Sequence, residues 1–372
     1  MCCLEKEKIA KPNQVNGMFT NSLLFRKSVL IFMLLGLQHV VSQNSINDVF
    51  TNADRPARTS MKIDVSDDLG HEGYLPVSIL KGKNEGPVFT IVAGVHGVEY
   101  SPIIATQQLI QEIDEHKLTG TLIFIPIASR GSFYNRTPFK NSEDDVNLNN
   151  AFPGDPKGSI TQRTAALITE QIIPLSDVFL DIHSGDGPED LLPFICYYNN
   201  TDKPKQTQRA KELSEVSGFE YVVSYPYTLR DDEPAKYAFK QAVQDGKIGV
   251  SIESGKLGKV EKADVDLTKK GVYNMLAEME MYGDTIGGET KITRLNDQVY
   301  VRSKVKGIFY SSYQAGDAVQ KGDVVGYATD EFGAVLEEYR ASKTGIILYM
   351  LATPPINVGN TVMCISSNVE RD

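Results

Sequence analysis

Short runs of consecutive apolar residues at 88–93, 122–127, 178–182, 194–198 and 248–252 punctuate the middle of the chain, each bounded by Gly, Pro or Asp. Runs that are apolar on both faces predict strands covered by helices on each side. The intervening segments 100–116, 161–173, 204–216 and 234–245 carry apolar residues at helical spacing, with Ile103, Ile104, Ile110 and Ile113 forming one stripe on the first. A further helix is expected over 265–282, ending at Gly283, and Gly287 and Gly288 mark a boundary. Past it the period shortens to strands at 298–305, 307–313, 324–328, 335–339, 345–350 and 362–365. Turn pairs Gly316-Asp317, Gly322-Asp323 and Gly359-Asn360 fall among them. The pattern predicts an α/β domain over 43–288, its sheet sandwiched by helices, and a small all-β domain over 289–372.

A chain of 372 residues with 41% hydrophobic content is long enough for two domains with real cores. Residues 1–42 are expected to lie outside both. Arg26 and Lys27 precede the apolar run 29–37, and Val40, Val41 and Ser42 follow it, the layout of an export signal. The run is too short to span a bilayer comfortably. The expectation is an exported protein, periplasmic or secreted, with an uncleaved signal anchor as the alternative and Met18 as an alternative start. Cleavage leaves no stable membrane partner. Formal net charge is −10, and losing the leader's five cations and two carboxylates takes it to −13. Such a balance disfavours nucleic acid, whose phosphates require basic surface. Oligomeric state is open, a homo-oligomer included, as is the pairing of Cys196 and Cys364.

Five histidines occur in the whole chain. His39 lies in the leader, His116 in a charged helix tail and His71 in a polar turn. The other two stand beside glycines at the ends of expected strands: His96 within 94–99 (Gly-Val-His-Gly-Val-Glu) and His183 within 180–185 (Leu-Asp-Ile-His-Ser-Gly). With Glu99 three residues from His96, the three side chains read as ligands of one zinc ion with an open fourth position, the arrangement of a catalytic site. Gly94 and Gly97 would let the backbone bend so that His96 and Glu99 converge. Strand alternation puts Asp181 on the face of His183, where it either fixes the imidazole tautomer or forms a strand-end turn. Glu253, at the end of 248–253 and beside Gly255, is the candidate general base.

Six segments in order resemble the boxes of the succinylglutamate desuccinylase/aspartoacylase family, relatives of the zinc carboxypeptidases. They are 94–99, 136–138 (Arg-Thr-Pro), 147–154 (Asn-Leu-Asn-Asn-Ala-Phe-Pro-Gly), 162–165 (Gln-Arg-Thr-Ala), 181–185 and 251–255 (Ser-Ile-Glu-Ser-Gly). The resemblance implies a zinc-carboxypeptidase-like mixed sheet and one Zn2+ per chain on His96, Glu99 and His183. It also implies Glu253 as base and Arg136 as a substrate contact that polarises the scissile carbonyl. The family's box ends Asp-Leu-Asn-Arg, where this chain has Asn147 to Asn150. An arginine that grips a substrate carboxylate is therefore replaced by neutral Asn150, with Asn149 kept as a substrate contact. Arg130 and Arg163 are possible substitutes, or surface ion pairs.

The tail resembles the β-domain attached to family members, with a biotinyl/lipoyl flavour over 316–326, although Lys343 lacks the neighbours of an attachment lysine. It is expected either to narrow the cleft or to act as a cap. The reading is a zinc-dependent hydrolase removing an acyl group from a small N-acyl amino acid or related amine. Alternatives are an exported zinc carboxypeptidase acting on peptides or cell-wall stem peptides, and a non-catalytic zinc or ligand-binding relative.

Overall fold

The computed structural model describes residues 46–284, 287–288 and 290–368. The expected leader lies outside them. Among the described residues, no helix is long and apolar enough to cross a membrane.

Parallel strands Asn84–Ala93, Val178–His183 and Ile248–Glu253 lie side by side in a large mixed sheet. Their apolar runs make this the buried centre: Phe89, Ile91, Leu180, Ile182, Val250 and Ile252 are all fully enclosed. Each such side chain contributes about 1.5–3 kcal/mol relative to exposure. Helices Tyr100–Glu112, Pro204–Val216 and Lys262–Glu278 cover one face through Leu109, Leu213 and Met275. Ile160–Leu167 and Ala238–Gln244 cover the other through Ala165, Ala238 and Ala242. All three central strands end at the same edge, so the residues at and just beyond their C-terminal ends share one side of the molecule.

The helix expected over 100–116 ends at Glu112, the one expected over 265–282 runs over Lys262–Glu278, and two others are interrupted. The 161–173 segment widens into a π turn at Ile168–Ile172 and closes with Ile173–Leu175, where Pro174 cannot continue the helix. The 234–245 helix starts only at Ala238, since Lys236 adopts a left-handed φ of 71°.

An antiparallel hairpin, Ala57–Ser66 with Glu72–Lys81, adds an edge that the apolar runs did not announce. Its turn is tied down by Asp67, whose carboxylate accepts the Leu69, His71 and Ile160 backbone N–H groups and lies 2.8 Å from His71 Nδ1. Burial works against the Asp67 charge, yet His71 and these donors outweigh it and hold its pKa at about 2. Asp67 in turn raises the His71 pKa. Stability from Asp67 is present above the ordinary carboxylate range and lost as pH falls toward 2. Stability from His71 is present below its ordinary 6.5 and lost as pH rises through its raised value. Asp67→Asn is therefore expected to lower Tm most at pH 5–6, with the difference shrinking toward pH 2. Melts across that range check it, and a gap independent of pH contradicts the ion pair as its cause.

The C-terminal β strands divide their pairing. Thr293–Arg302 adds in parallel to Tyr221–Pro226, and Thr361–Asn368 and Gly345–Leu351 extend the same sheet antiparallel. Gly345–Leu351 also pairs with Glu189–Leu191. Only Val335–Arg340, Val324–Thr329, Gly307–Tyr310 and Pro355–Ile356 form a separate four-stranded sheet. Lys343 is tied to Asp297 by an ion pair and to the Asp297 carbonyl at 3.0 Å. Cys196 and Cys364 are both buried free thiols.

Candidate active site

The common edge of the three central strands gathers the chemistry. After Ala93 the chain turns through Gly94, at φ 68°, a conformation that favours glycine. At Gly97 the Ser132 backbone comes so close that a Cβ would lie 2.3 Å from its carbonyl carbon. The tight turn brings His96 back under the strand end and sets Glu99 at the N-terminus of the helix Tyr100–Glu112, where the helix dipole favours a carboxylate. His183 ends its strand in register with Glu253 on the next.

Glu99 bridges the two imidazoles. Its Oε1 lies 2.6 Å from His96 Nδ1 and its Oε2 2.9 Å from His183 Nδ1. One ligand atom from each of the three residues falls within 4.8 Å of the others, and all three are buried. Burial opposes the Glu99 charge, but His96 and His183 outweigh it and lower its pKa to about 2. Burial likewise opposes a charged His183, yet Asp181 and Glu99 raise its pKa well above the usual value. Two nitrogen donors and one carboxylate, converging and mutually dependent on shared positive charge, are a donor set suited to a divalent ion.

Asp181 Oδ2 stands 3.2 Å from His183 Nε2, the ring nitrogen facing away from Glu99, at ion-pair distance though without hydrogen-bond alignment. That is the position from which a carboxylate orients a ligand histidine. Burial pushes the Glu253 carboxyl up to about 8, with nearby His183 pulling the other way.

His96, Glu99, His183 and Glu253 face a cavity of about 320 Å³ that Asn149 also lines. Asn149 sits in the turn Leu148–Asn150, where its N–H donates to Asn147 Oδ1, and its own buried Oδ1 has no hydrogen-bond donor. Asn150 points to solvent outside the cavity. Arg136 is not brought in either. Left-handed at φ 54°, it ends the helix Arg130–Asn135 and lies in a separate groove with Tyr100, Phe133 and Val260. Arg130 stacks 3.6 Å over the Tyr74 ring, and Arg163 pairs with Asp68 and the Ser66 carbonyl, so both serve the hairpin.

Several lining residues escaped the sequence reading. Phe139 packs edge-on against His96, ring centroids 5.3 Å apart. Tyr198 and Tyr237 form part of the wall, and Tyr300 and Tyr349 reach it from the C-terminal strands. A third carboxylate, Glu189, faces the same space. An aromatic residue in a strand carries no local mark of what it will face, so only the long-range pairing reveals these.

The succinylglutamate desuccinylase/aspartoacylase catalytic domain model matches residues 85–279. An N-alpha-acetyl-L-2,4-diaminobutyric acid deacetylase of Halomonas elongata is 30% identical over 325 residues, covering 83% of this chain and 91% of that protein. The product-bound ectoine utilization protein EutE (DoeB) of Ruegeria pomeroyi superposes with a TM-score of 0.75 at 25% identity, over 84% of this chain and 96% of that one. A succinylglutamate desuccinylase/aspartoacylase from Rhodobacter sphaeroides shares the fold, with a TM-score of 0.75 at 22% identity over 86% and 97% of the two chains. The fold, the ordered motifs and these likenesses agree: the chain belongs to the succinylglutamate desuccinylase/aspartoacylase family.

Proposed function

We propose that this protein is a zinc-dependent deacylase that hydrolyses the amide of a small N-acyl amino acid or related N-acyl amine. The observation that carries this reading is the convergence of His96, Glu99 and His183 beside Glu253 in one cavity. His96, Glu99 and His183 would hold a zinc ion, which would supply Lewis acidity for a scissile carbonyl and an attacking water and would favour the ionised form of Glu253. Glu253 takes the proton from the water and hands it to the leaving amine. Asp181 holds the His183 ring in orientation. Asn149 offers its amide to the substrate, while Phe139 and the tyrosines exclude bulk water. Arg136 and Asn150 enter only as the family's expectation for substrate contacts, since neither side chain lines the cavity.

A cavity of about 320 Å³ suits a small molecule, and the relative from Halomonas elongata, named for an N-acetylated amino acid, supports that size class. Walls supplied by Tyr300 and Tyr349 favour compact substrates over an extended peptide. The leader makes export the proposed location. The test is a panel of N-acyl amino acids and short peptides. Zinc-loaded protein should release free amine from the former, lose activity on chelation and regain it with zinc. Cleavage of peptides with all N-acyl amino acids untouched would overturn the reading in favour of a carboxypeptidase.

A further inference from the structure

Arg136 has no task in the reaction above, and the groove that holds it is a second pocket of the molecule. That groove measures about 340 Å³ and shares no lining residue with the catalytic cavity. One wall is the start of the helix Tyr100–Glu112, where Tyr100, Ile103 and Ile104 fall on one face at helical spacing. Phe133 and Tyr134, from the helix Arg130–Asn135, form a second wall, and Val260 supplies a third. Ser101 Oγ donates to the Lys259 carbonyl at 3.1 Å and so ties the segment of Val260 to the first helix. Tyr134 is 63% exposed and Val260 50%, so the groove opens to solvent. Contiguous apolar surface of this kind is unfavourable to leave in water.

The one charged member of the lining is Arg136. Among the described residues its guanidinium has no hydrogen-bond, ion-pair or ring partner, and no carboxylate lines the groove. A second guanidinium, that of Arg130, lies 5.3 Å over the Tyr134 ring and adds positive potential nearby. The backbone at Arg136 is held at a left-handed φ of 54°, disfavoured for a residue with a side chain, and its N–H donates to the Phe133 carbonyl at 3.2 Å. The catalytic cavity has the opposite character, with three carboxylates and neither lysine nor arginine in its lining.

We propose that this groove binds a medium-chain carboxylate, a free acid of roughly eight carbons, with its tail along Tyr100, Ile104 and Val260 and its head on the Arg136 guanidinium. A guanidinium offers a carboxylate two parallel N–H donors, a geometry that selects this head group. An amine of the same length meets Arg136 as a like charge, and a short acid leaves the apolar walls uncovered. The proposal goes beyond the deacylase reading and does not depend on it, because the two pockets are lined by different residues.

Calorimetry on the zinc-loaded protein with octanoate, butanoate and octylamine tests it, together with crystals soaked in terminally brominated octanoate. Octanoate should bind at least about 50-fold more tightly than butanoate, since each fully buried methylene is worth roughly fourfold. It should also bind at least about tenfold more tightly than octylamine. Arg136→Gln should weaken octanoate by about tenfold or more, and Arg136→Lys by less. Val260→Glu, a change at an exposed position, should weaken it by a similar factor by setting a like charge against the acid. The bromine anomalous signal should fall beside Tyr100, Ile104 and Val260. Absence of saturable binding at millimolar octanoate, binding unchanged in both Arg136→Gln and Val260→Glu, equal binding of octylamine, or a bromine peak only in the catalytic cavity would each overturn the proposal. So would tighter binding of a short peptide ending in a free leucine carboxylate, which would pass the groove to a protein C-terminus. If octanoate occupies the groove while no N-acyl amine is hydrolysed, the site stands and the deacylase reading falls.

Discussion

Glu253→Gln is expected to lower kcat by about 10²–10⁴-fold, the range that a positioned proton acceptor contributes, while leaving zinc content unchanged. Glutamine keeps the shape and hydrogen-bonding capacity of the side chain and removes only its ability to take a proton. The residue stands one strand from His183, in register with it, close enough to serve a reacting centre beside the ligands without being one of them. Steady-state kinetics with metal analysis on the same preparation checks both halves. Loss of zinc together with activity would recast Glu253 as a ligand, and retained activity would remove it from the mechanism.

His183→Ala is expected to act at an earlier level, on the metal itself. With one imidazole gone, Glu99 keeps only His96 as a partner, and Asp181 loses the ring it faces. Zinc affinity should fall by more than about 100-fold, beyond the 10–100-fold that partners outside the ligand set carry. Activity falls with it. The metal-free variant should also be less stable than the metal-free wild type by a few kcal/mol, because a buried carboxylate has lost its counter-charge. Zinc content after dialysis and melts with and without zinc separate the two effects. Wild type should gain Tm on adding zinc, and the variant should gain little.

The residues legible from sequence share one property. His96, Glu99, His183 and Glu253 are each fixed by a few neighbours: an apolar run that must be a buried strand, then glycine that must turn. Short-range rules suffice for them. Helices are legible where apolar spacing is regular, as at Pro204–Val216, and misjudged where Pro174 or the left-handed Lys236 interrupts the pattern. The hairpin Ala57–Ser66 escapes notice because its residues alternate between exposed and partly covered, with charged side chains on the open face. Glu189, Tyr300 and Tyr349 are invisible for a different reason. They meet because Glu189–Leu191 pairs with Gly345–Leu351, more than a hundred residues apart in sequence, and no local pattern announces that ladder. The glycine pair at 287–288 does mark a change of composition, yet Thr293–Arg302 goes on to extend the same sheet from Tyr221–Pro226. The second half of the cavity wall depends on that continuation.

Arg136 shares its motif with the family, and in this chain, at a left-handed φ of 54°, it lines a groove with Tyr100 and Val260 instead of the cavity that Glu253 lines. The charge environment of the cavity is set by its actual lining, which is three carboxylates, two imidazoles and a wall of aromatic rings.

Anomalous diffraction at the zinc absorption edge from crystals grown with one equivalent of zinc tests the central claim most directly. The expected result is a single peak about 2.0–2.2 Å from donor atoms of His96, Glu99 and His183, with Glu253 nearby but uncoordinated. Zinc bound at other residues, or no peak among these three in protein that hydrolyses N-acyl amines, would contradict it.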